Sequence, residues 1–174
     1  YGSANNFSVF YMGDGNYNWS INCTDYASIE NSSGIWQLNI DTTQPKINYS
    51  GGTAQNGSAF NRNSIYVNVS INESNQNMTT FNLYNSNMVL VGSYNLTDGT
   101  TWFNFTNLGS INSVYYYNAV HRDMAGNSNS TPLWKITLDS SPPTSFLLNP
   151  YNFANISGSP YSVSALLSDT LSGV

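Results

Sequence analysis

Tyr17-Asn18-Trp19-Ser20-Ile21-Asn22-Cys23-Thr24-Asp25-Tyr26-Ala27 is followed, 98 residues on, by Tyr115-Tyr116-Tyr117-Asn118-Ala119-Val120-His121-Arg122-Asp123-Met124-Ala125. The match at that step is gapless and continues. Asn31-Ser32 fall on Asn129-Ser130, Trp36 on Trp134 and Asp41 on Asp139, giving 7 identities over the 25 positions from Tyr17 to Asp41. Trp19 meets Tyr117, Ile35 meets Leu133, Leu38 meets Ile136, Ile40 meets Leu138 and Pro45 meets Pro143. Upstream, Asn6-Phe7-Ser8 fall on Asn104-Phe105-Thr106. Downstream, Ile65, Val67 and Val69 fall on Val163, Ala165 and Leu167. Self-similarity at a fixed step marks stacked structural units.

The repeat sets an expected domain map. Asp41-Thr42-Thr43-Gln44-Pro45 and Asp139-Ser140-Ser141-Pro142-Pro143 read as junctions, because proline stiffens a link and is kept out of sheet centres. One complete domain is expected over 42–139. Residues 1–41 then hold the last strands of a preceding domain and 140–174 the first strands of a following one. The chain is expected to be a window cut from a longer protein.

Within the complete unit, Ser64-Ile65-Tyr66-Val67-Asn68-Val69-Ser70-Ile71-Asn72 alternates apolar and polar residues, the period of a half-buried strand. Strands are expected at 46–50, 64–72, 79–84, 87–94, 100–107, 113–122 and 132–139. Turn-forming Gly51-Gly52, Asn85-Ser86, Asp98-Gly99 and Ala125-Gly126-Asn127 lie between them. Seven short strands in 98 residues predict an all-β fold of immunoglobulin-like sandwiches.

Charge is scarce. Lys plus Arg number 4 and Asp plus Glu 9, and charged residues form 7% of the chain against roughly 25% in ordinary soluble proteins. Nucleic acid is not an expected partner, because there is no basic surface to displace phosphate counterions. No apolar run of about 18 residues is present to span a bilayer. Aromatics at 14% argue against disorder.

Asn-X-Ser/Thr acceptors stand in for charge as the source of solubility. They occur at Asn6, Asn18, Asn22, Asn31, Asn48, Asn56, Asn68, Asn72, Asn77, Asn95, Asn104, Asn129 and Asn155. With 28 Asn and 40 Ser plus Thr in 174 residues, chance gives 28 × 40/174, about 6, so 13 is twice the chance number. Asn18, Asn22, Asn48, Asn68, Asn72 and Asn104 fall on the polar face in the one register that buries the neighbouring hydrophobics. N-linked glycans on several of them are expected.

The aromatic strand from Tyr115, the Asp123-Met124-Ala125-Gly126-Asn127 turn, the Trp134 to Asp139 strand and Pro142-Pro143 resemble the closing segment of immunoglobulin-like or fibronectin-III-like repeats of prokaryotic surface proteins. Ser168-Asp169-Thr170-Leu171-Ser172-Gly173-Val174 resembles the turn between their second and third strands. The likeness implies a tandem sandwich array at a cell surface, and an Asn-rich, Lys-poor chain dense in acceptors resembles an archaeal one. Asp25-Tyr26-Ala27-Ser28-Ile29 departs from the pattern by lacking Gly-Asn, so a shared turn geometry is not expected there.

Candidate chemistry is thin. His121 and Cys23 are the chain's only histidine and cysteine, and share one repeat position. His121 reads as structural, since catalysis or zinc binding needs partners. Cys23 reads either as a free buried thiol or as half of a disulfide whose partner precedes residue 1. Asp123, Asn127 and Asp139 are candidate oxygen ligands for Ca²⁺ at a joint; no other metal or cofactor is expected. Trp102 and Tyr116 read as exposed aromatics, first as cross-strand pairs or contacts for neighbouring glycans and second as a surface able to stack on sugars. The expectation is a non-catalytic structural segment of an extracellular filament, stalk or surface layer. Its partners are copies of itself, neighbouring domains and glycans, with strand exchange between subunits as a further option. An adhesin or carbohydrate-binding module, and a spacer in a large secreted protein, are the alternatives.

Overall fold

A computed structural model describes residues 4–109 and 112–173. All regular structure among them is β. The strands are β1 (Gly15–Trp19), β2 (Asn22–Thr24), β3 (Glu30–Ser32), β4 (Trp36–Ile40), β5 (Lys46–Tyr49), β6 (Ser58–Phe60), β7 (Ile65–Asn72), β8 (Gln76–Tyr84), β9 (Leu90–Leu96), β10 (Trp102–Phe105), β11 (Ser113–Asp123), β12 (Ser128–Ser130), β13 (Trp134–Leu138), β14 (Thr144–Asn149) and β15 (Ser164–Ser168). The seven strands expected between 46 and 139 are all present. The short β6 and β12 add to them, in segments whose Ser- and Asn-rich sequence carries no alternation.

Strands β5 to β13 form an immunoglobulin-like sandwich. One sheet runs β10-β7-β5 and the other β6-β13-β11-β8-β9, with β12 beside β11. Ile47, Ile65, Val67, Val69 and Phe105 of the first sheet meet Phe81, Leu83, Tyr115, Tyr117, Ala119, Ile136 and Leu138 of the second in one buried cluster. Each fully buried aliphatic or aromatic side chain there contributes about 1.5–3 kcal/mol relative to exposure. The first strand is split: β5 serves one sheet and β6, running parallel to β13, the other. The chain crosses between them through Gly52 and Gly57, both at positive φ (90° and 84°). Tyr117 Oη holds the crossing by donating to Ala54 O at 2.6 Å. Tyr49 stacks on Trp134 at 4.1 Å, and its hydroxyl lies 2.8 Å from Pro132 O.

The flanking strands copy this register. Pairs Gly15↔Ile40 through Trp19↔Trp36 become Ser113↔Leu138 through Tyr117↔Trp134 after 98 residues. Asn22↔Ser32 through Thr24↔Glu30 likewise become Val120↔Ser130 through Arg122↔Ser128. The coverings differ: Trp134 packs on Tyr49, whereas Trp36 leans on Trp19 at 6.0 Å and is 61% exposed.

The turns also match, which corrects the expectation from sequence. Asp25 Oδ1 accepts from Ala27 N (2.8 Å) and Ile29 N (2.9 Å). Asp123 Oδ1 accepts from Gly126 N (2.7 Å) and Asn127 N (2.8 Å). Ser28 takes the left-handed conformation (φ 64°) that Gly126 supplies in the other copy (φ 101°). A second correction concerns the step. Strand β14 matches β5 at 98, but β15 matches β7 only at 96, since Thr144↔Ser168 reproduces Lys46↔Asn72. Val163, Ala165 and Leu167 therefore correspond to Val67, Val69 and Ile71. The loop before β15 is two residues shorter, and an even offset leaves the inward and outward faces unchanged, which hides the gap from an alternation pattern.

His121 points into the core, 2% exposed, with Nδ1 2.9 Å from Thr79 Oγ1 and a buried Nε2 that has no partner. Cys23, at the same register position, is exposed among the described residues and has no second cysteine there to pair with. Strand β8, which covers His121 through Thr79, has no equivalent beside β2 among the described residues.

Two outcomes follow from this packing. Replacing Gly126 with Ser, the residue of the first copy, costs about 1–2 kcal/mol because φ is positive (101°), whereas the exposed Arg122 Nη2, 3.3 Å from a Cβ there, can swing aside. A lowered urea midpoint with unchanged m-value reports it, and an unchanged midpoint refutes it. Burial holds the His121 imidazole below its ordinary value of 6.5, against the upward pull of Glu73 and Asp123. Its stabilising contribution is therefore full above 6.5 and is lost as pH falls from 6.5 toward the lower folded value, where the unfolded chain takes up a proton that the folded core refuses. Urea midpoints should drop between about pH 7.5 and 5.5, above the carboxylate range, and His121→Val should flatten that slope.

Candidate functional site

Of the 13 acceptors, Asn6, Asn18, Asn22, Asn31, Asn48, Asn56, Asn72, Asn77, Asn95, Asn129 and Asn155 are exposed, and Asn68 and Asn104 are half-buried. They occupy several faces. Asn48, Asn68, Asn72 and Asn104 lie on the outer side of the β10-β7-β5 sheet, while Asn77 and Asn95 lie on the β8-β9 side. The amide nitrogen that would carry a sugar is already engaged at three positions. Asn68 Nδ2 donates to Gly51 O (3.0 Å), Asn77 Nδ2 to Asp123 O (3.4 Å) and Asn129 Nδ2 to Pro45 O (3.0 Å). An amide keeps a second hydrogen in each case.

The Asn129 bond belongs to the joint at 41–45, which the sequence marks as a junction without naming the hydrogen bonds that hold it. Asp41 Oδ2 accepts from Asn75 Nδ2 (2.7 Å), and Asp41 O accepts from Asn127 Nδ2 (2.9 Å). On the other side, Asp14 accepts from Thr42 Oγ1 and Thr43 Oγ1, both at 2.7 Å, and hydrogen bonds from these threonines hold its carboxyl below the usual range. The link 41–45 is thus tied to β1's approach on one flank and to the turns after β7 and β11 on the other. The same device recurs where Asn112 Oδ1 accepts from Ser140 N (2.8 Å) and Oγ (3.0 Å). The sequence signal was available: Asp14 and Asn112, like Thr42 and Ser140, stand 98 apart. At this second joint the 96-residue step puts Leu171 in the place of Asn75, and Asp139 Oδ2 is buried without a partner.

The Ca²⁺ candidates do not come together. Asp123 and Asn127 are neighbours, with Asn127 Nδ2 donating to Asp123 Oδ2 at 2.8 Å, but Asp139 follows the strand end opposite Ser113, at the other end of β11. Burial pushes the Asp123 carboxyl up, and hydrogen bonds from the Asn127 side chain and the backbone N–H groups of Asn127 and Gly126 outweigh it, leaving it below the usual range. An acceptor so occupied closes a turn. Among the described residues no three His, Cys, Asp or Glu side chains converge as a metal site, and no helix is long and apolar enough to cross a membrane.

Of the two aromatics singled out, Trp102 is 50% exposed and Tyr116 is half-buried. Trp102 stacks on Tyr66, centroids 5.8 Å apart. A cleft opens where the edges of β9 and β10 diverge, lined by Leu83, Tyr94, Phe103 and Phe105, and Tyr94 stacks on Phe103 in its wall at 4.3 Å.

No family model matches the chain, and no curated protein matches it. Among solved structures it is similar to an engineered protein, at 19% identity and TM-score 0.40 over 54% of this chain and 20% of that one. It is also similar to the fibronectin(III)-like modules of Clostridium thermocellum CbhA, at 9% identity and TM-score 0.40 over 73% of this chain and 64% of that one. The chain spans less than two thirds of the length of either.

Proposed function

We propose that this chain is a structural segment of an extracellular, heavily N-glycosylated surface protein, a filament, stalk or surface-layer component built from tandem immunoglobulin-like sandwiches. The observation that carries the reading is the joint at 41–45, where strand pairs of matching register meet through a link hydrogen-bonded on both flanks. Such a link passes force and orientation from one sandwich to the next, as an array that projects or tiles a surface requires. The flanking pairs then belong to neighbouring sandwiches of the same design. Glycans on acceptors spread over several faces supply the hydration that 13 charged residues do not. The archaeal setting is part of this proposal and rests on resemblance alone, that of an Asn-rich, Lys-poor chain dense in acceptors. An adhesive patch is less favoured, because the stacked pair Tyr66–Trp102 lies between two acceptors, Asn68 and Asn104.

Glycopeptide mapping of the protein from its native cells should find sugar on most of the 11 exposed acceptors. Bare asparagines throughout would leave only a polar spacer. The joint has its own readout. In the chain as it stands, residual dipolar couplings of β1 and β7 should fit one alignment tensor. The double substitution Asp14→Ala with Asn75→Ala should require two. A single tensor in both would remove the joint from the account.

A further inference from the structure

We infer that Tyr66 and Trp102 form a platform for the first sugar of a glycan on Asn104, so that occupancy of this one acceptor stiffens and stabilises the sandwich. This rests on the reading of the chain as N-glycosylated and names what one of its acceptors does.

The geometry begins with register. Strands β7 and β10 are antiparallel, with Asn104 opposite Tyr66 and Trp102 opposite Asn68. Phe103, Phe105, Val67 and Val69 take the inward positions, so Tyr66, Asn68, Trp102 and Asn104 share the outer face. Opposite residues on such a pair stand about 5 Å apart and alternate residues of one strand about 7 Å. Asn104 therefore has a ring on each side, Tyr66 across the ladder and Trp102 two residues back.

The rings are fixed before any sugar arrives. They are stacked, 29° from parallel. Gly52 lies beneath Tyr66, so close that a Cβ there would come within 3.0 Å of the ring. Trp102 keeps half its surface open to solvent. A pyranose presents C–H groups from one face, and laying that face on an indole removes apolar surface of both from water.

The amide at Asn104 is turned the right way. Its Oδ1 is buried and has no partner, whereas Nδ2 is not among the buried unpartnered atoms. The two ends of an amide point apart, so an inward oxygen presents the nitrogen outward. Asn68 differs: its Nδ2 is bonded to Gly51 O and its Oδ1 accepts from Thr101 Oγ1. Elsewhere the arrangement is missing. Asn72 lies opposite Lys46 with Ser70 two residues before it, and Phe153, two before Asn155, is 92% exposed outside any strand.

The test uses the full chain made in a host that installs N-glycans. Removing the Asn104 acceptor by Thr106→Ala should lower the thermal midpoint by about 4 °C. In a Trp102→Thr background, which keeps a strand-forming residue, the same removal should change it by less than about 1 °C, while Trp102→Phe should keep most of the difference. Removing the Asn72 acceptor by Ser74→Ala should leave the midpoint unmoved. Occupied Asn104 with equal increments in all three backgrounds overturns the platform and leaves the glycoprotein reading intact. Asn104 bare together with the other acceptors overturns both.

Discussion

The interleaving of Ile65, Val67 and Val69 with Phe81, Tyr117 and Ile136 between two sheets is the contact on which the rest depends. It fixes which side of every strand faces inward, because a slip of one residue would turn each buried side chain to water. The outward set is then equally fixed. Acceptor asparagines, the Tyr66–Trp102 stack and the hydroxyls of the joint are where they are because their neighbours in sequence are in the core. At Asn104, flanked by Phe103 and Phe105, core and surface chemistry are written on alternate residues of one strand.

Much of this was legible in the sequence, and the reason is period. Ile65 through Asn72 declares a strand without help, and the 98-residue echo of Tyr17 to Asp41 carries register directly, as the paired strands bear out. What escaped was of three kinds. Short β6 and β12 have too few residues to show a period and exist because β13 and β11 offer them ladders. The two-residue deletion before β15 was invisible because parity survives it. The Asp25 turn lacks Gly-Asn in sequence, yet Ser28 takes the left-handed position and the N–H groups of Ala27 and Ile29 both donate to the Asp25 carboxylate.

The candidate site was legible as a list and not as an arrangement. Asn-X-Ser/Thr names acceptors but says nothing of which amide ends are engaged, and Asn68 and Asn104 differ in that respect alone among neighbours on one face. The calcium trio failed for a related reason: Asp123 and Asp139 are close in sequence by way of a hairpin, yet an eleven-residue strand separates them in space. Asp139 and Asp41 read alike in sequence as boundary markers, yet in the fold the first has a buried, unanswered oxygen where the second holds Asn75.

The bonds that close the 41–45 link run from neutral hydroxyls and amides to carboxylates and carbonyls, with no cation among them. Counterions weaken attraction between opposite exposed charges, but they have little hold on contacts of this kind. A chain joined in this way would keep its outline from dilute water to brine.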